Sequence, residues 1–165
     1  MEYDEAAKFY TTDDEDQDLW LLLTHARYAV FRAREKELQR YGVSPEQVSL
    51  LFVVQALGNK ATPVAISRHI IRQPHTVSAL VDRMVRRGLV KKVKDLDRKN
   101  LVRVVMTEKG KKTYELSTKR GPIHRIMRSL EVKERDNFRV SLEKILATAR
   151  KEIGLDRDDL PPSEF

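Results

Sequence analysis

The chain has 165 residues, 35% of them charged, with 32 Lys or Arg against 25 Asp or Glu, a formal net charge of +7 and a pI near 9.7. This length fits one domain, or one domain with dimerising extensions, and the lack of any Cys excludes disulfides, thiolate metal sites and thiol-based oxidant sensing. No apolar run approaches the length of a membrane span and nothing resembles a signal peptide, so the expected location is the cytoplasm, with no membrane partner; the basic balance favours an anionic partner.

Residues 1–18 hold eight Asp or Glu against one Lys and read as an acidic arm. Its last residues can cap the next helix, because Asp16 or Asp18 can accept the free N–H groups of a helix start and suit its dipole. From Leu19 to about Arg40 the pattern is continuous helix, giving a second segment over 19–43. Leu19, Leu22, Leu23, Ala26, Val30 and Ala33 form one stripe, and Leu21, Tyr28 and Phe31 fall off it. Apolar residues on more than one side need more than one partner, which a single small domain does not readily supply. Tyr41-Gly42 ends this helix. Ser44-Pro45, followed by Glu46 and Gln47, opens another in good cap order, with Val48, Leu51, Phe52 and Leu57 inward and Gly58-Asn59 closing it.

A third helical pattern begins near Thr62 and draws its apolar side chains from Val64, Ala65, Ile66 and Ile70. Pro74 opens a fourth, where its missing N–H is harmless, and forces Gln73 to be extended. Val77, Leu80, Val81 and Met84 recur at three and four residues and mark a buried face; His75, Thr76, Ser78 and Ala79 lie near the N-terminal end of the other face. Arg87-Gly88 stops this helix. Leu89, Val90 and Val93, then Leu101, Val102, Val104 and Val105, read as two strands joined by a polar loop that projects. Helix, turn, helix, strand, basic tip, strand is the order of a winged helix-turn-helix, expected over 44–106. Residues 62–103 alone hold eleven Lys or Arg against three Asp, a net charge of +8 that exceeds the whole chain's.

Thr107 can cap a helix whose body reaches about Arg120, with Gly110 in its first turn, before Gly121-Pro122 interrupts. Ile123, Ile126, Met127 and Leu130 resume helical spacing, and a last helix from about Val132 sets Phe138, Leu142, Ile145, Ala149 and Ile153 on one face that needs an opposite surface. Segment 107–153 is thus helical, and 154–165 reads as a polar tail with two prolines. The fold class is mainly α with a small β-hairpin wing (α+β).

In such a reading head the exposed start of the Pro74 helix can enter a major groove. His75, Thr76 and Ser78 offer hydrogen bonds to base edges or phosphates, Pro74 and Ala79 offer apolar contact with thymine methyls, and Arg83 reaches phosphate or the groove edge. Thr62 and Ser67, at or near the start of the preceding helix, suit a phosphate, as do Lys94, Arg98, Lys99 and Arg103 on and beside the loop. Arg86 and Arg87 fit phosphate contacts and solvated surface equally. None of His25, His69, His75 and His124 has a second His or a carboxylate at ligand spacing, and there is no phosphate loop, so no enzyme, cofactor or metal site is expected. The alternative is an architectural or protein-binding winged helix whose basic face docks without sequence choice.

The run RRGLVKKVKDLDRKNLVRVVMTEKGKK resembles the MarR family of bacterial winged-helix transcription regulators. Gly88 to Val90, Asp97 with Arg98 and Lys99, and Thr107 with Gly110 stand where that family carries its G-L-V, its aspartate with basic neighbours and its T-x-x-G. Lys99 replaces the family's usual second arginine, which keeps the charge and loses the bidentate fork, and Met106 stands where leucine is commoner. The resemblance spans roughly Leu19 to Ile153. It implies a homodimer in which the last helix packs on the partner's first helix, through Leu21, Tyr28, Phe138, Leu142, Ile145 and Ala149. It further implies binding to an inverted repeat in double-stranded DNA, in most cases as a repressor. A crevice between dimer helices and head would take a small aromatic or phenolic molecule, drawing on Trp20, His25, Arg27, Tyr28, Phe31, Val48 and Phe52, with Arg27 suited to an organic anion. The family tends to have one long helix where Gly121-Pro122 stands here, so a kink or break is expected.

Overall fold

In the computed structural model, which describes residues 11–94 and 101–155, the first helix α1 runs Glu15–Leu38. It starts four residues before the expected Leu19, because Asp14 rather than Asp16 or Asp18 is the cap: its carboxylate accepts from Asp16 N–H at 3.0 Å and Gln17 N–H at 3.1 Å. Glu15, Asp16 and Asp18 then occupy the first turn, where the helix dipole favours negative charge. Residues 15–18 therefore belong to the helix; residues 1–10 of the acidic arm lie outside the described residues, as do 156–165 of the tail.

A 3-10 turn, Gln39–Tyr41, leads through Gly42, in the left-handed region at φ +65°, to α2, Pro45–Leu57. The expected capping box is present: Ser44 N–H donates to Gln47 Oε1 at 3.0 Å and Gln47 N–H donates to Ser44 Oγ at 3.3 Å. α2 is the centre of the head. Leu50, Leu51, Val53 and Val54 are buried, and Leu51 alone of the expected inward residues is among them; Val48, Phe52 and Leu57 pack half-buried at the margin of the core.

Helix α3 spans Pro63–His69 and α4 spans Pro74–Arg86. On α3 only Ile66 of the four expected apolar residues is fully buried, and Val64 faces solvent. On α4 the expected face is the observed one: Val77, Leu80, Val81 and Met84 are all buried. Each such side chain contributes roughly 1.5–3 kcal/mol on burial, which outweighs the lack of a side-chain cap at Gln73. Packing, not local propensity, holds this short helix. Gln73 is extended, at φ −62° and ψ 140°.

Strands β1, Val90–Lys94, and β2, Val102–Met106, pair antiparallel with Val90 opposite Met106 and Lys94 opposite Val102. Val104 N–H also donates to Ala61 O at 2.7 Å, so the segment before α3 rests on the outer side of β2. Helix α5, Glu108–Ser117, follows at once. Thr107 caps it by accepting from Gly110 N–H at 3.0 Å, while its own hydroxyl donates to Gly88 O at 2.6 Å. Gly110 is required by crowding: a Cβ there would stand 1.9 Å from Leu89 O.

α5 ends at Ser117, three residues before the expected Arg120, and the break at Gly121-Pro122 is real: Arg120 takes φ +49° and starts a separate helix α6, Gly121–Met127. Leu130 lies in the turn beyond α6. The break is pinned to α1. Arg34 pairs with Glu37 and donates to Ser117 O, and Glu37 Oε1 accepts from Gly121 N–H at 2.9 Å. The last helix α7, Val132–Glu152, is exposed along nearly its whole length, Arg150 being its one buried residue. Among the described residues no helix is long and apolar enough to cross a membrane.

Candidate nucleic-acid interface

The buried face of α4 fixes what its other face presents. Pro74, His75, Thr76, Ala79 and Arg83 are exposed and Ser78 is half-buried, so the residues expected to meet base edges share one solvent-facing side of the helix. A salt bridge steadies that side: Lys92 Nζ on β1 donates to Asp82 Oδ1 at 2.6 Å. The hydrogen bond from Lys92, with the charges of Lys92 and Arg86, holds the Asp82 carboxyl below its usual value despite some desolvation.

The residues expected to meet the DNA backbone divide. Thr62 sits at the start of α3 and accepts from Ala65 N–H at 3.1 Å. Ser67 does not sit there. It lies in the body of α3, 3% exposed, with its hydroxyl donating to Val64 O at 2.8 Å, so the backbone role read for it from the sequence has no surface to act from. Arg87 is a structural tie: it donates to Gln47 Oε1 at 2.8 Å and to Gly42 O, fastening the end of α4 to the start of α2. Arg86 is exposed.

Lys94 closes β1, exposed, and Arg103 stands half-buried on β2 opposite Val93. Side chains alternate across a hairpin, so these two cations lie on opposite faces of it, not on one edge. Arg98 and Lys99 lie outside the described residues.

Between α1 and the head is a cleft of about 830 Å³. Of the expected ligand residues it brings together Arg27 and Phe31 only. The Arg27 guanidinium lies 5.5 Å from the Tyr28 ring centroid and 5.9 Å from that of Phe31, near enough for cation–π attraction. Trp20 and Tyr28 are exposed on α1 and do not line the cleft, His25 Nδ1 lies 2.9 Å from Leu21 O of its own helix, and Val48 and Phe52 pack against the core. The rest of the lining comes from the start of α2, from Ile70 to Arg72, and from Thr76, Val77, Leu80 and Arg83 of α4. Sequence spacing did not reveal that Thr76 and Arg83 belong both to this cleft and to the outward side of α4. The turn it touches is unusual: Ile71, β-branched, holds φ +52°, a conformation that costs such a residue energy.

Residues 41–99 match the model of the MarR family. Among solved structures, the organohalide-sensing transcriptional regulator RdhR-CbdbA1625 in its ligand-free form is 30% identical with a TM-score of 0.76, over 93% of this chain and 92% of that one. Its 2,4-dichlorophenol-bound form is 32% identical with a TM-score of 0.73, over 86% and 82%. A variant of E. coli MarR complexed with operator DNA shares the fold, at 19% identity and a TM-score of 0.72 over 81% of this chain and 99% of that one. No curated protein matches the chain.

Proposed function

The chain belongs to the MarR family of transcriptional regulators, and from that premise we propose that it acts as a homodimeric repressor that binds an inverted repeat in duplex DNA and is released by a small aromatic or phenolic anion. The observation that carries the DNA reading is the division of α4, with Val77, Leu80, Val81 and Met84 in the core and Pro74, His75, Thr76, Ala79 and Arg83 outward. A helix held so firmly on one side can present a fixed row of side chains to a major groove, and the cations of the hairpin can hold its register on phosphates. The operator complex of E. coli MarR is a precedent on the same fold. Selection of bound fragments from random duplex DNA tests this: enrichment of an inverted repeat is the expected result, and binding with no enriched sequence would favour a docking module without sequence choice.

The release step rests on the cleft. The cleft is lined by Arg27 and Phe31 of α1 and by Thr76 and Arg83 of α4, so the binding energy of a molecule that bridges the two helices depends on where the head stands relative to α1, which is the condition for a ligand to shift a conformational equilibrium. The 2,4-dichlorophenol-bound form of RdhR-CbdbA1625 supports a chlorinated phenol as the class to try, and the Arg27 guanidinium a carboxylated one. Titration of phenols and benzoate-like acids should lower DNA affinity for the unaltered protein and do so much less after Arg27→Ala; equal sensitivity of the two proteins would remove Arg27 from the site.

A further inference from the structure

A second cleft, of about 590 Å³, lies where the C-terminal third of α1 and the turn after it meet the start of α6. Lys36, Arg40, Lys119 and Arg125 line it, with Tyr41 and Pro122 as apolar walls. The one carboxylate in the lining, Glu37, is already engaged by Arg34 and by Gly121 N–H at 2.9 Å. Among the described residues none of the four cations makes an ion pair. Four like charges around one concavity repel one another, and an unneutralised cluster of this kind is stabilised by a bound anion. The volume lies in the range of small-molecule sites. The chain is also strained at the rim, where Arg120 holds φ +49°, a conformation that persists only when its surroundings fix it.

We propose that this cleft is a binding site for an organic diphosphate or triphosphate of the nucleotide class, held by Arg40 and Arg125 with Lys36 and Lys119 and bordered by Tyr41. A monocarboxylate leaves most of the positive charge unbalanced, whereas a polyphosphate matches it, and guanidinium groups fit phosphate oxygens in pairs. An occupant would span α1 and α6 and hold the break at Gly121-Pro122 in one geometry.

The test is calorimetric titration of the full-length protein at low salt with inorganic pyrophosphate and with ATP, using benzoate as the control. One saturable site per chain is expected for both phosphates and none for benzoate at this cleft. Arg40→Ala combined with Arg125→Ala should weaken pyrophosphate by about tenfold for each guanidinium removed, while Lys91→Ala with Lys94→Ala on the hairpin should leave it unchanged. Amide chemical shifts of the unaltered protein, which need no variant to fold, should move at 36–41 and 119–125. Absence of saturable binding, full binding by the folded double variant, or shifts centred on α4 would each overturn the assignment. Displacement of pyrophosphate from the same amides by nonspecific duplex at equal phosphate concentration would assign the cleft to the DNA backbone instead and overturn the small-molecule reading.

Discussion

Gly110, in the first turn of α5, stands so close to the chain before β1 that a Cβ there would meet the Leu89 carbonyl oxygen at 1.9 Å. The pairing of Thr107 with Gly110 was legible as a cap, since the two are three residues apart; the reason Gly110 cannot carry a side chain was not, because the crowding oxygen belongs to Leu89, in the bend before β1. Gly110→Ala should therefore drive α5 off the start of β1 and destabilise the head by about 1–3 kcal/mol, read as a lowered midpoint in urea; an unchanged midpoint would mean that α5 can rotate freely away. Gln47 is a sharper case. Its capping role follows from Ser44, but its Oε1 also accepts from Arg87, forty positions later, and no local pattern announces that. Gln47→Ala removes one half of a capping box and leaves the Arg87 guanidinium short of a partner, so a loss of about 1–2 kcal/mol is expected. Arg87→Ala measured beside it, with the double variant, should show that the two losses do not add; strict additivity would mean that the tie carries no energy.

Elements were legible wherever hydrophobic period and end signals agreed, as in α4 between Pro74 and Arg87-Gly88, and less so where a boundary depended on another element. α5 stops at Ser117 because Arg34 on α1 claims the Ser117 carbonyl and Glu37 claims Gly121 N–H, so the break seen as Gly121-Pro122 in the sequence is completed from a helix some eighty residues earlier. The hairpin was legible as two strands, yet the opposed faces of Lys94 and Arg103 follow only from the register. Helix and hairpin should consequently fail differently when altered. Thr76→Ala removes a hydroxyl from the outward side of α4 and should reduce preference for the true site over a scrambled one by about 1 kcal/mol or less for one hydroxyl, against roughly 1–3 kcal/mol for a bidentate base contact. Lys94→Ala with Arg98→Ala should weaken specific and nonspecific duplexes by similar factors and lower the slope of log affinity against log salt by roughly 0.9 per phosphate contact removed. Affinities measured across a salt series on both duplexes decide the matter. A hairpin variant that lost site preference while keeping its salt slope would make the hairpin a base reader and undo this division.

At the scale of the whole molecule the sequence showed a surplus of apolar faces, and the fold shows where that surplus lies. The head buries one continuous core, but α1 reaches it only at its C-terminal end, where Leu38 is the helix's one buried residue. Earlier on α1, Leu19, Trp20, Leu22, Leu23 and Tyr28 are exposed, Trp20 to 62%; on α7 so are Val132, Phe138, Val140, Ile145 and Leu146, Val132 to 69%, and Ile153 just after it. Leaving this apolar surface in water forfeits a part of the roughly 1.5–3 kcal/mol that full burial of each large side chain contributes, and apolar patches of that kind mark interaction surfaces. Because the two uncovered faces sit on the first and last helices of one chain, a second copy related by a two-fold axis can cover both at once. Two consequences are open to measurement. Light scattering at micromolar concentration should give the mass of a dimer, and Leu142→Lys with Ile145→Lys should give a monomer whose head still melts cooperatively. Footprints of the unaltered protein should then show two inverted half-sites about 34–36 Å apart, or a multiple of that, since both heads must meet one face of the duplex. A monomeric mass for the unaltered protein, or protection of a single half-site at saturation, would show that the exposed faces of α1 and α7 serve some other partner and that the symmetric arrangement is wrong.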